Sequence, residues 1–394
     1  KHHPGEKLTV RKELDFYRSS MIKAEHFILP ASIQNILIIQ LGDIGDVVWS
    51  IPTFRAVKNA YPDADLSLLV REGIGNLFDA DPAVKQVFEV KRYQGSWGVI
   101  WLAQFAFLKK VRKARFDLVF DLRSDERGAF MARLTGAPFR ASLAYRDVPF
   151  YRNRLFTHLV YPAKDNIRIR LGAAEQSLRI VRGFGISTGD TVPKLFVESE
   201  TQRRMNNLLD NHGVYSQAQD DAPNDVSTGF VTLNPFSRWS YKEWPLDNWV
   251  AIGAWLWTEY RIPAVIVGSA MERERAEALA KSGSGVAKVY NLAGETNLTE
   301  LAALLSISRL HVGVDSAAPH IAAAVGTPTI TLYGPSDWRD WAPVGGQHQV
   351  VTLAMDCSPC HQKGCDGQGR SRCLEDMSID SVKEAIMRAV SPRQ

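Results

Sequence analysis

The chain has 394 residues, 45% of them hydrophobic and 10% aromatic, with a formal net charge of +4. That length and apolar content suffice for two hydrophobic cores and exceed one ordinary domain. The mild positive balance gives no argument for nucleic acid as a partner, and the longest apolar stretch, 98–108, is too short to span a bilayer and is interrupted by Gln104.

Residues 1–31 carry charges throughout and lack the pattern of a secretory signal, so they read as an N-terminal extension of a soluble, cytoplasmic protein. From there, short apolar runs alternate with helical or turn-rich stretches. NILIIQL (35–41), DLSLLV (65–70), VFEV (87–90) and DLVFDL (117–122) predict parallel strands of a first domain, 32–192. The first run leads into Gly42, Asp43, Ile44, Gly45 and Asp46, and then a helix over 47–60 with Pro52 as an internal irregularity. This loop is neither GxGxxG nor a P-loop, which weakens a nicotinamide or ATP-hydrolysing function. Asp46 has two readings, helix cap and general base, and one carboxylate can serve as both.

Further along, WLAQFAFLKKVRKAR (101–115) is an apolar helical segment ending in five cations. It either packs on the first domain or lies on an anionic membrane surface. The stretch 140–154 interleaves arginines with aromatic residues, and Arg127, Arg146 and Arg152 are candidate contacts for an anionic acceptor, against an ordinary solvated face. A connecting strand and helix over 194–213 and a polar surface loop, QAQDDAPNDVST, follow.

The second domain, 193–378, repeats the scheme with GFVTLNP, PAVIVGS, VYNLAG, LHVGVDS and TITLYGPS. Each run ends in small or polar residues, and ligands bind at that edge of a parallel sheet. NPFSRWSYKEWP sets Ser237, Arg238 and Lys242 there as phosphate contacts, unless Lys242 merely pairs with Glu243; Trp239 and Trp244 read as packing residues. After LHVGV, Asp315 and Ser316 cap a helix over 317–325 that holds His320, a site for phosphate or diphosphate. His320 has packing as its alternative role. The four cysteines, Cys357, Cys360, Cys365 and Cys373, are spaced for a structural zinc tetrathiolate, with reduced or occasionally bridged thiols as the alternative. An amphipathic helix over 379–390 closes the chain, packing 379–394 on the body.

Taken in order, the 35–70 segment with its LGDIGD loop, SRWSYKEWP, GSAMERE, NLAGETNLTELAALL and VDSAAPHIAAAVGTPTITLYGPSDWRDWAP resemble glycosyltransferase family 9, which contains the ADP-heptose:lipopolysaccharide heptosyltransferases. Within it, SRWxxKxWP, RGAFMARL and DSAAPH are most similar to the third heptosyltransferase of core assembly. The resemblance implies a GT-B fold, with two doubly wound Rossmann-like α/β domains facing across a cleft, acceptor bound by the first and nucleotide-sugar by the second. It implies inverting transfer of heptose from ADP-heptose to a lipopolysaccharide core, without a catalytic cofactor and with peripheral contact at the cytoplasmic face of the inner membrane. Asp46 matches the family's base, beside Gly45, and Lys242 the lysine on the donor phosphate. Asp315, Ser316, Ala317 and His320 fall on the donor turn, Glu272 or its neighbour Glu274 on the ribose, and Thr296 and Leu298 along the adenosine pocket. Ala317 stands where many members have Gly, and its methyl would crowd a close phosphate contact. A transferase or epimerase for another nucleotide-sugar, and a binding protein without turnover, are the competing functions.

Overall fold

The structure is a computed structural model that describes residues 30, 32–91, 97–145, 148–161, 173–215, 229–283, 287–367 and 369–390. The extension before Pro30, the polar loop at 217–228 and Arg146 lie outside the described residues. Among the described residues, twelve strands form two six-stranded sheets. The first contains β1 (Asn35–Ile39), β2 (Asp65–Arg71), β3 (Gln86–Val90), β4 (Leu118–Asp121), β5 (Phe139–Leu143) and β6 (His158–Val160), in the order β3-β2-β1-β4-β5-β6. The second contains β7 (Val231–Asn234), β8 (Ala264–Ile266), β9 (Val289–Asn291), β10 (Leu310–Val314), β11 (Thr329–Tyr333) and β12 (His348–Thr352), in the order β12-β11-β10-β7-β8-β9. Every strand pair is parallel.

The central strands are buried on both faces, which is why their sequences are continuous apolar runs rather than alternating ones. NILII, LVFD, LHVGV and TITLY are buried almost throughout. Helices cover both faces, and the chain divides into two compact units with the main boundary between Thr191 and Val192. In the first unit, Val111 and Phe116 from one crossover and Ala129 and Ala132 from the next close over Leu37, Ile39 and Val119. In the second, Trp244 and Trp249 meet edge to face at 5.4 Å, and Trp244 donates its indole N–H to Met377 O at 3.1 Å. The closing helix, Ile379–Val390, buries Val382, Ala385, Ile386 and Val390 in that same core. Their i, i+3, i+4 spacing is the amphipathic stripe read from the sequence. Among the described residues no helix is long and apolar enough to cross a membrane.

Three local expectations need correction. The helix after the first strand starts earlier and is divided, Ile44–Trp49 and Ile51–Ala60. Ser50 joins them, its hydroxyl donating to the Asp46 and Val47 carbonyls at 2.9 Å, and Pro52 falls in the first turn of the second helix, where its missing N–H leaves no gap. Among the described residues no strand forms near 194: Leu195 instead donates its N–H to Ala324 O at 2.8 Å before the helix Ser199–Asn211. Trp239 is 43% exposed, stacked on Tyr241 rather than packed inside.

Candidate active site

The carboxyl end of β1 runs into Gly42 and a helix capped by Asp43, with Asp46 as its third residue. The turn is closed by a capping box, in which Asp46 Oδ2 accepts the Asp43 N–H at 3.0 Å. A Cβ on Gly42 would lie 2.4 Å from Asp46 Oδ2, so only glycine allows the carboxylate to fold back here. Gly45 belongs to the same first turn. Asp46 thus helps start the helix, and its carboxylate lies just beyond the carboxyl end of β1.

Two arginines that the sequence reading missed surround this turn. Arg71, at the end of β2, pairs with Asp43 Oδ1 at 2.6 Å, and Arg123, just beyond β4, pairs with Asp46 Oδ2 at 2.9 Å. Burial pushes the Asp46 carboxyl above its usual range; Arg123 opposes this most, followed by the Asp43 N–H. The sheet brings them together: β1 and β4 are neighbours, so residues following both lie at one edge.

Of the candidate acceptor arginines, Arg127 is exposed and bonded to Asp125 at 3.2 Å. Arg152 is a correction. Its side chain is 0% exposed, lying 3.8 Å from the equally buried Asp121 and donating to Ser142 Oγ at 2.8 Å and to Leu143 O. A guanidinium enclosed this way braces the ends of β4 and β5 and has no face left for a ligand. Burial raises the Asp121 carboxyl to about 7, with Arg152 pulling it back.

On the second sheet, Lys242 ends a short 3-10 turn, Ser240–Lys242, and its Nζ donates to Asp315 Oδ2 at 2.6 Å. Glu243, the partner considered from sequence, is held by Arg275 at 2.6 Å and accepts the Ser237 N–H. Ser316 caps the helix Ala317–Ala324, and its hydroxyl donates to Asn234 Oδ1 at 2.7 Å, joining the ends of β10 and β7. Ala317 and Ala318 open that helix, and Pro319 at its third position brings no N–H to satisfy. His320 is buried behind the turn; desolvation lowers it to about 4, Asp315 opposing and Lys242 adding, so the ring is neutral at physiological pH.

Farther along the edge, Glu272 follows β8, its Oε2 accepting the Ser269 N–H at 2.6 Å, while Glu274 is exposed on the next helix. Thr296 and Leu298, both half-buried, flank Asn297, the cap of the helix Leu298–Ser306 after β9. Arg238 is exposed, 5.3 Å from the Trp239 ring, and does not join Lys242 and Asp315 in any described contact. The sheet order thus sets Asp315, Lys242, Glu272 and Thr296 after four successive strands, β10, β7, β8 and β9.

Of the two expectations for the cysteines, the described geometry fits the reduced thiols. Among the described residues no three His, Cys, Asp or Glu side chains are grouped to hold a metal ion. All four cysteines are free thiols, from exposed Cys357 to buried Cys373, whose thiol burial pushes up to about 11, with the other three cysteines adding to the shift.

Two doubly wound units with charged and polar groups at their carboxyl edges constitute the GT-B architecture of a glycosyltransferase. The chain belongs to Glycosyltransferase family 9 (heptosyltransferase), whose profile matches residues 104–369. It is 27% identical over 305 residues to lipopolysaccharide heptosyltransferase 3 of Escherichia coli, covering 76% of this chain and 84% of the relative. It is 24% identical over 344 residues to lipopolysaccharide heptosyltransferase 1 of Pseudomonas aeruginosa, covering 84% and 88%. Among solved structures it resembles the glycosyl transferase family 9 protein from Veillonella parvula, with a TM-score of 0.73, 18% identity and coverage of 92% and 99%. The E. coli heptosyltransferase WaaC with ADP gives 0.68 at 22% identity, covering 90% and 100%.

Proposed function

We propose that this glycosyltransferase transfers heptose from ADP-heptose to a lipopolysaccharide inner-core acceptor, inverting the anomeric centre in one displacement without a metal. The acceptor hydroxyl attacks the anomeric carbon while Asp46 takes its proton, and the bond from that carbon to the β-phosphate oxygen breaks with its electron pair leaving on ADP. Positive charge for the leaving group comes from Lys242 and the first N–H groups of the helix Ala317–Ala324. The observation that carries this reading is the placement of Lys242 on Asp315 directly before that helix. Three strand spacings separate Asp315 from Thr296, about 14 Å, a span suited to a nucleoside diphosphate with its phosphates at Lys242, ribose at Glu272 and base near Thr296 and Leu298. Ser237, Ser316 and Ala317 line the phosphate end in this reading, and Arg127 remains an acceptor contact. Relatives named as lipopolysaccharide heptosyltransferases support the choice of substrates.

An anionic acceptor anchored in lipid also calls for peripheral contact with the cytoplasmic face of the inner membrane. The helix Trp97–Lys113 supports it, with Leu102 and Phe105 exposed at 69% and 56% and exposed Lys109, Lys110, Arg112 and Lys113 following. Charge reversal at Lys109 and Lys113 is expected to abolish binding to anionic vesicles; unchanged binding would remove the membrane from this reading. The transfer itself is tested by ADP release from ADP-heptose with truncated cores of defined length. Release that depends on acceptor supports it, and tight donor binding with no release on any core would reject it.

A further inference from the structure

We propose that Arg123 is the positioning residue for the base, holding the Asp46 carboxylate ionised with Oδ2 engaged and Oδ1 turned to the acceptor hydroxyl. This rests on the assignment of Asp46 as base made above.

Oδ2 receives the Asp43 N–H at 3.0 Å and the Arg123 guanidinium at 2.9 Å, whereas no hydrogen bond from the described residues reaches Oδ1. The carboxylate is thereby fixed in rotation, with one oxygen left for chemistry. Such a base has two opposing needs. It must be withdrawn from water, as its 19% exposure achieves, yet remain charged, which withdrawal disfavours. The charged groups facing it are few: Asp43 on its own turn, Arg71 from β2, which is occupied by Asp43 at 2.6 Å, and Arg123 from β4. Arg123 is the only one of these cations within direct bonding distance of Asp46.

The origin of the Arg123 side chain is unusually well fixed. Leu122 donates its N–H to Ile39 O at 2.9 Å, and the Ser142 hydroxyl donates to the carbonyl of the preceding Asp121 at 2.9 Å, so the backbone before Arg123 is held from both neighbouring strands. Ser124 takes a left-handed backbone, φ +62°, and its hydroxyl meets Ser142 Oγ at 3.0 Å. The following helix, Glu126–Thr135, lies so close that a Cβ on Gly128 would stand 2.3 Å from Asp121 Oδ1. Arg152 completes this framework from below through Ser142 and Asp121. The enclosed Asp121 and Arg152 thus acquire a purpose: they set the backbone from which Arg123 reaches the base.

The test is the pH dependence of acceptor-dependent ADP release for wild type, Arg123→Gln, Arg123→Lys and Asp46→Asn, each checked for an unchanged unfolding midpoint. In Arg123→Gln the acid limb of kcat is expected to move up by about one pH unit. Arg123→Lys, which restores the cation, is expected to bring the limb back toward wild type, and ADP affinity should be the same in all four proteins. An unmoved limb in Arg123→Gln would overturn the proposal, as would a pure rise in acceptor KM with kcat unchanged at every pH, which would make Arg123 an acceptor contact. Wild-type turnover in Asp46→Asn would instead remove the base, and this inference with it.

Discussion

Lys242 and Asp315 come from distant parts of the sequence, yet the Nζ to Oδ2 distance is 2.6 Å with both side chains mostly shielded from water, at 22% and 10% exposure. The aspartate holds a long, flexible ammonium at the helix start; in the proposed reaction this reduces the ordering needed when the donor phosphate binds. Lys242→Met is therefore expected to lower turnover by about 10²–10³-fold. ADP release at saturating substrates checks this, and Asp315→Asn, which frees the ammonium, should weaken donor binding in calorimetry.

Asp46→Asn retains an oxygen that can accept the Asp43 N–H, so the helix start should survive while proton transfer is lost. Turnover is expected to fall by about 10²–10⁴-fold with ADP affinity unchanged. Single-turnover kinetics with ADP-heptose and core acceptor measures the first, and calorimetry the second.

Gly42→Ala places a methyl where Asp46 Oδ2 now lies, 2.4 Å away. Displacement of the base is the expected outcome, and because the methyl would also stand 2.7 Å from Asp46 Cβ, the first turn of the helix shifts with the carboxylate. Turnover, read by ADP release, should drop; full activity in this variant would show that the carboxylate does not act from its observed position.

Arg152→Leu leaves Asp121 buried with no cation. A carboxyl whose folded pKa is raised contributes stability that is complete below its unfolded value and is lost as pH rises through the folded one, a window here from 3.8 to about 7. Removing Arg152 raises the folded pKa further, so the variant's deficit should grow with pH. Breaking a buried pair destabilises by about 3–5 kcal/mol, and that loss is expected at pH near 8 and a smaller one near 5. Denaturant melts at the two pH values decide it.

His320 is neutral well above its lowered value of about 4. Between pH of about 6 and 8, ADP affinity should therefore carry no contribution from its titration. His320→Gln is expected to leave the shape of that pH profile unchanged, whatever it does to the affinity itself.

The central strands were legible because parallel strands buried on both faces leave an uninterrupted apolar signature. β5, β6 and β12 were not, for the opposite reason. β5 carries Arg140, whose guanidinium turns back to the carbonyls of Leu155 and Ala137, so a cation sits inside a strand. β6 has three residues, and β12, HQVVT, is half polar. The placement of Asp46, Lys242 and Asp315 beyond the ends of their strands was readable from motif and position. Their partners were not, because Arg123 with Asp46 and Arg152 with Asp121 are fixed by which strands become neighbours, and spacing along a chain does not encode that. Arg152 looked like a surface cation among aromatics, and the fold placed it against Phe156 at 4.7 Å in the interior.

The two sheets share one topology: read from β3 and from β9, their orders are 3-2-1-4-5-6 and 9-8-7-10-11-12. Laid over each other strand for strand, β1 matches β7 and β4 matches β10, the place where the winding reverses. At that place each unit has built one ion pair between the loop after its first strand and the residues after its fourth. In one it is a carboxylate on the first loop and a guanidinium after the fourth strand, Asp46 and Arg123; in the other an ammonium and a carboxylate, Lys242 and Asp315. The same scaffold position thus carries an ion pair twice with its polarity inverted, the loop side negative in one unit and positive in the other.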